Sequence, residues 1–282
     1  MGATFVVTLR EAFEAALLLG IVYTYLDKVG ARNQHRYVTL GGVLGAVASV
    51  LLGAGLSVLS GPLLDLGPDV IGTAVIFVAV VLLTWHGWWM RQHARAIKGD
   101  VQRRLEQAGA GHRVWVVGTI AFVGVFREGA ETVLFLWGLM TQTNVTGWGG
   151  VTGGVLGIAT AGVLGWAIFR GGRQLSLPHF FAVTSVLLLL VAAGLFSTGV
   201  GKLEAFGVLP GTAMLWDTSR VLDDHGGVGG FLAGLVGYRA RPSALEVLAY
   251  ASYLLAAGAL FFGRTASRGP SVRGTGAHAG IS

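Results

Sequence analysis

Two five-residue segments carry the residue types best suited to chemistry: Arg10-Glu11-Ala12-Phe13-Glu14 and Arg127-Glu128-Gly129-Ala130-Glu131. Both read R-E-x-x-E, and both are set in apolar sequence. On a helix, residues three apart share a face and residues four apart can pair. Glu11 and Glu14 therefore align while Arg10 reaches Glu14, and the same holds for Glu128, Glu131 and Arg127. Two arginines offset two of the four glutamates, which leaves surplus carboxylates converging in a low dielectric. Such a set invites a hard multivalent cation, or protons. The bland alternative is a pair of buried ion pairs gluing two helices together. It leaves the surplus negative charge unexplained, and buried salt bridges rarely repay their desolvation.

These segments must be positioned by elements that belong in lipid. The 282-residue chain is 53% hydrophobic and 12% charged, about half the usual charged share of a soluble domain. Its mean hydropathy is +0.68. It has no cysteine, which excludes thiolate metal sites, thiol catalysis and disulfides. A spanning helix needs about 20 mostly apolar residues. Seven such stretches are predicted, roughly at 3–27, 38–60, 69–91, 114–140, 148–169, 179–200 and 244–263, with a disordered tail at 267–282. The fold class expected is an all-α integral membrane protein. The two motifs lie 117 residues and three helices apart. An odd number of helices between copies reverses their direction, so the sequence predicts an inverted 3+3 repeat with one helix added, and a site near the midplane where the halves meet. Gly41 and Gly45, and likewise Gly149, Gly153 and Gly157, are spaced for close helix approach.

Six charges facing lipid alone would cost roughly 15–21 kcal/mol on the insertion scale. They must face one another or a wet cavity. The remaining basic residues set the orientation. Lys28, Arg32, Arg36, Arg91, Arg95, Lys98, Arg103, Arg104, Arg113, Arg170, Arg173, Arg264, Arg268 and Arg273 fall on one side, and only Lys202, Arg220, Arg239 and Arg241 on the other. Loops rich in Lys and Arg stay in the cytoplasm, which predicts the N-terminus outside and the C-terminus inside. The net charge of +6 is then topology and attraction to anionic lipid, with no call for nucleic acid. The N-terminus does not read as a cleaved signal peptide, because it lacks a positive leader and three charges interrupt its apolar stretch.

At these motifs the sequence resembles a known family, the oxidase-dependent iron permeases or iron/lead transporters, and within it the bacterial EfeU-type branch. The resemblance extends through Leu83-Thr84-Trp85, Trp89-Met90-Arg91, Phe126 to Gly129, Asp217 to Leu222, His225, Gly237-Tyr238 and Pro242 to Val247. It implies a seven-helix permease of the cell membrane in which Glu11, Glu14, Glu128 and Glu131 bind iron in passage while Arg10 and Arg127 hold them. It also implies partners, an extracytoplasmic iron-binding lipoprotein and a haem peroxidase. Iron is then the substrate and no bound organic cofactor is expected. Two alternatives stand beside this. One is a carrier of another divalent cation such as manganese or lead, or a proton-coupled carrier. The other is a membrane carboxylate-bridged metal oxidase, disfavoured because such helical sites use Glu-x-x-His and the chain has none.

Lesser candidates flank these. Asp217 and His225, in the long loop with Glu204, Asp223 and Asp224, could gather cations at an entrance, although a solvated loop would look the same. Glu246 could serve there too, or could complement a helix dipole. Gly226 to Val236 could form a short re-entrant or interfacial segment. His86, between Trp85 and Trp88, reads more readily as a packed or hydrogen-bonded histidine than as a ligand or proton relay, because no histidine is near it in sequence. Trp88 and Trp89 read as an interfacial belt. His93, His112 and the basic loop 91–113 are expected on the cytoplasmic side, against lipid.

Overall fold

The computed structural model describes residues 1–65, 68–93, 99, 103, 113–140, 147–171 and 177–262. The tail expected to be disordered and most of the basic loop 91–113 lie outside the described residues. Among the described residues the regular structure is helical, apart from one isolated bridge between Met214 and Ser243. The helices are α1 (Gly2–Lys28), α2 (His35–Asp65), α3 (Pro68–His93), α4 (Arg113–Met140), α5 (Gly147–Gly171), α6 (Leu177–Ala205), the short α7 (Gly227–Val236) and α8 (Ala244–Phe262). Helix is the element that satisfies every backbone group within one segment, which hydrocarbon demands. Five of them, α2, α3, α5, α6 and α8, are long and apolar enough to cross a membrane. Helices α1 and α4, of 27 and 28 residues, are as long but are interrupted by the charged motifs.

Apolar side chains point outward as well as inward. Val58, Val81, Val163 and Leu255 are each more than 60% exposed. A surface of this kind suits lipid tails. Trp115 and Trp148, at the starts of α4 and α5, are exposed where aromatic rings favour the membrane–water boundary.

Two apolar cores bracket the charged motifs. In the first, Ala3, Val6 and Val7 of α1 meet Phe135 and Leu139 of α4, with Ile76, Val80 and Leu83 of α3 and Leu188, Val191 and Leu195 of α6. In the second, Val22 and Leu26 of α1 meet Val38 of α2 and Val117 and Ala121 of α4. The start of α1 thus packs beside the end of α4 and its end beside the start of α4, so the two helices run antiparallel. Both motifs lie between the two cores.

Helix α5 packs along α1, α2 along α4, and α3 against α6. The first two pairs use glycine in the same way. A Cβ on Gly157 would stand 2.7 Å from the Phe5 carbonyl and 2.8 Å from the Leu9 amide. A Cβ on Gly45 would stand 2.6 Å from the Phe122 carbonyl and 3.0 Å from the Phe126 amide. One turn away, Gly153 faces the Met1 carbonyl and Gly41 the Gly118 carbonyl. Each contacted residue of α4 lies 117 positions after its counterpart in α1, the same offset as the two motifs.

Helix α6 continues to Ala205, so Lys202 and Glu204 extend its last turn beyond the expected end at 200. The segment that follows is tied by side chains. Glu204 accepts bonds from the Thr212 amide (3.0 Å) and hydroxyl (2.8 Å). The Tyr238 hydroxyl donates to the Leu222 carbonyl (3.0 Å), and the Ala240 amide donates to Asp224 (3.3 Å). The Gly226 to Val236 stretch folds as α7, which lies against Gly2 and Ala3 of α1. Gly237 ends α7 at φ 71°, where a side chain would meet Gly194 of α6. Helix α8 starts from a reciprocal cap: the Glu246 amide donates to Ser243 Oγ (3.1 Å) and the Ser243 amide donates to Glu246 Oε2 (2.9 Å).

Gly157→Ala and Gly45→Ala each place a methyl against the backbone of a neighbouring helix, and overpacking costs about 1–3 kcal/mol. Both variants should melt earlier in detergent than the parent, whereas Gly162→Ala, with open space around it, should not. Equal melting of all three would contradict the packing. Ser243→Ala removes the N-cap hydroxyl of α8 and should destabilise by about 1 kcal/mol, read by the same melting assay.

Candidate metal centre

The motifs converge where α1 and α4 run antiparallel. Arg10, Glu11, Glu14 and Glu128 are buried, Arg10 completely. Arg10 Nε lies 3.0 Å from Glu14 Oε1, and a terminal nitrogen lies 3.9 Å from Glu11 Oε1. In the second motif Arg127 Nε lies 2.9 Å from Glu131 Oε1 and 3.9 Å from Glu128 Oε1. Each arginine therefore engages the glutamate four residues on more closely than its neighbour in sequence. The motifs are alike in sequence but not in setting. The Arg127 side chain is 45% exposed, and its guanidinium lies 4.7 Å from the centre of the Trp89 ring.

Helix α3 adds His86 to this group. Its Nε2 lies 3.6 Å from Glu11 Oε2 and 3.7 Å from Glu14 Oε2, and its Nδ1 contacts Glu131 Oε2. His86 is hydrogen-bonded, but to the charged cluster rather than to the surrounding apolar core. The signal was present in the sequence, because Ile76, Leu83, His86 and Met90 are buried at helical spacing and form the inward stripe of α3. Trp89 lines a pocket of about 210 Å³ with Trp85, His86, Arg127, Glu131 and Phe135.

One donor atom from each of Glu11, Glu14, His86 and Glu128 lies within 4.8 Å of the others. Both oxygens of Glu11, one of Glu128 and Nε2 of His86 are buried and make no hydrogen bond. Leaving a buried polar atom unsatisfied costs about 1–3 kcal/mol, and more where it is charged. Several such atoms aimed at one point are what a cation site requires before the cation arrives. Glu131 stands outside this four-donor group, with Oε1 on Arg127 and Oε2 against Nδ1 of His86.

The other sequence candidates lie away from this cluster. Asp217 is exposed and accepts bonds from the Ser219 hydroxyl (2.6 Å) and amide (3.0 Å), with Arg241 Nε at 3.1 Å. These partners, the serine hydroxyl first, hold its carboxyl at about 2. His225 Nδ1 sits 2.9 Å from Asp224 and 3.3 Å from Asp223, a second acidic–imidazole group in the loop after α6. Glu246 is engaged in the cap of α8.

Residues 1–266 match the iron permease FTR1 family. The ferrous iron permease EfeU of Escherichia coli O157:H7 is 34% identical over 283 residues, covering 95% of this chain and 99% of the relative. That of Shigella sonnei is similar to the same extent. The ferrous iron permease EfeU of Yersinia pestis is 33% identical over 273 residues, 93% of each chain. No solved structure gives a significant match. With apolar helices of spanning length and a match over nearly its whole length, this chain is an integral membrane protein of the iron permease FTR1 family.

Proposed function

We propose that the chain carries iron across the cell membrane into the cytoplasm, and that the carboxylates of the two R-E-x-x-E motifs hold the ion in transit. The observation that carries this reading is the buried convergence of Glu11, Glu14 and Glu128, with Glu131 adjoining, several of whose oxygens make no hydrogen bond. A multivalent cation supplies the missing partner. The relatives named above are ferrous iron permeases, and the site's oxygen and imidazole donors suit that ion. Arg10 and Arg127 hold the carboxylates in register and offset part of their charge between passages, so the empty site stays tolerable in lipid.

In this reading α1 and α4 span the membrane beside the five apolar helices, because their charges face each other rather than lipid. The matched glycine contacts, at the same offset as the motifs, support an inverted repeat of three helices with α8 added. The apolar cores on either side of the motifs act as the two barriers that alternate access would open in turn. Asp217, His225 and Glu246 belong to the outer face with Glu204, and the C-terminus belongs to the cytoplasm. The lipoprotein and haem peroxidase implied by the family resemblance would act at that outer face, since nothing in the donor set performs redox chemistry by itself. The chain is a carrier rather than an enzyme in this account.

Glu14→Gln and Glu128→Gln each remove a buried carboxylate without changing its shape. Uptake of radioactive ferrous iron by iron-transport-deficient bacteria should fall to background for both, at membrane levels equal to the parent. Normal uptake by both would overturn the site. Manganese at a concentration equal to iron in the same assay separates an iron carrier, which binds manganese more weakly and keeps most of its iron uptake, from a general divalent carrier, which loses a large share of it. The natural absence of cysteine permits a direct test of orientation. Val221→Cys, at an exposed loop position, should react with a membrane-impermeant maleimide on intact cells, whereas Asn33→Cys should react only after permeabilisation. The reverse pattern would invert the topology.

A further inference from the structure

The two motifs are alike in sequence, yet their last glutamates meet opposite ring nitrogens of His86. Glu14 is bound by Arg10 through one oxygen and turns the other toward His86. Glu131 is bound by Arg127 through one oxygen, and its other oxygen contacts Nδ1 of His86. The opposite ring nitrogen, Nε2, is buried, makes no hydrogen bond, and points between Glu11 and Glu14. Trp89, Arg127 and Glu131 thus form a chain of contacts that ends by aiming one imidazole nitrogen into the carboxylate cluster.

Resting on the carboxylate reading above, we infer that His86 Nε2 is a direct ligand of the transported ion together with Glu11, Glu14 and Glu128, and that Glu131 is a positioning residue that orients the imidazole rather than a ligand. A carboxylate on the far nitrogen of a ligating histidine fixes the ring and its tautomer, and raises the basicity of the ligating nitrogen. The dimensions fit. Donors bound at about 2.1 Å stand roughly 3–4 Å from one another, and the four candidate donor atoms already lie within 4.8 Å.

The nitrogen donor gives the site its discrimination. All-oxygen carboxylate sites suit magnesium, calcium and manganese, whereas imidazole shifts preference toward iron and the later first-row metals. One histidine among three carboxylates lets a strongly negative site reject the abundant hard cations that would otherwise fill it. It also explains why α3, which carries neither motif, sends a polar residue into the crossing of α1 and α4.

The test uses the full chain in lipid nanodiscs, loaded with one equivalent of Mn²⁺ as a paramagnetic probe. Pulsed electron paramagnetic resonance should detect ¹⁴N coupling from one imidazole in the parent. The coupling should vanish in His86→Gln and in His86→Asn while Mn²⁺ remains bound, and either variant suffices if the other fails to fold. Glu131→Gln should keep the coupling but bind on the order of 10- to 100-fold more weakly. In cells, inhibition of ferrous iron uptake by calcium should strengthen at least tenfold in the His86 variants. Absence of ¹⁴N coupling in the parent, or its persistence in both His86 variants, overturns the assignment of His86. A Glu131→Gln variant that loses Mn²⁺ as completely as Glu14→Gln does makes Glu131 a ligand and overturns its positioning role. Full Mn²⁺ binding by Glu14→Gln and Glu128→Gln, or none by the parent, would instead overturn the carboxylate site itself, and this inference with it.

Discussion

A carboxylate cannot face a hydrocarbon chain. The structure is organised around meeting that constraint at Glu11, Glu14, Glu128 and Glu131. Each motif brings its own arginine, so a large part of the charge is neutralised within one turn of one helix. What remains is gathered where α1, α3 and α4 approach at one level. The price is a cluster of buried oxygen and nitrogen atoms that make no hydrogen bond. A structure selected for stability alone would have no use for them, and a site that must accept and release an ion does.

The approach of the helices depends on small residues. Gly41 and Gly45 let α2 lie on the backbone of α4, and Gly153 and Gly157 let α5 lie on the backbone of α1. In lipid there is no hydrophobic force between helices, so close backbone contact supplies much of the attraction that holds them. These paired contacts fix the two motif helices from behind, while α3 and α6 pack on the other side through Ile76, Val80, Leu188 and Leu195. The charged level is then sealed by apolar side chains at both ends. The exposed apolar residues of α2, α3, α5 and α8 complete a molecule that is polar at its centre and apolar outside, the reverse of a water-soluble protein.

Much of this was legible in the chain. The duplicated motif, its placement in apolar helices and the cost of charge in lipid identified the cluster and its helical setting before any coordinate. The family followed from the same residues. What local sequence did not reveal was the placement of His86 beside the motifs, since its neighbours there lie 45 to 75 positions away in other helices. Its position on the buried stripe of α3 was a readable clue, but it could not say what that stripe faces. The difference between Arg10 and Arg127 was also hidden. Identical motifs were set in different surroundings, one enclosed and the other open to the Trp85–Trp89 pocket. Glu246 shows the opposite case: Ser243-x-x-Glu246 is a local pattern, and local chemistry alone accounts for it.

The central claim is that the ion rests between α1, α3 and α4. An anomalous-scattering map at the iron edge, from crystals of the full chain grown in lipid and soaked anaerobically with ferrous iron, tests it most directly. The account predicts one dominant peak within bonding distance of Glu11, Glu14, Glu128 and His86. A dominant peak at Asp223, Asp224 and His225, with no density at the crossing of α1 and α4, would contradict it.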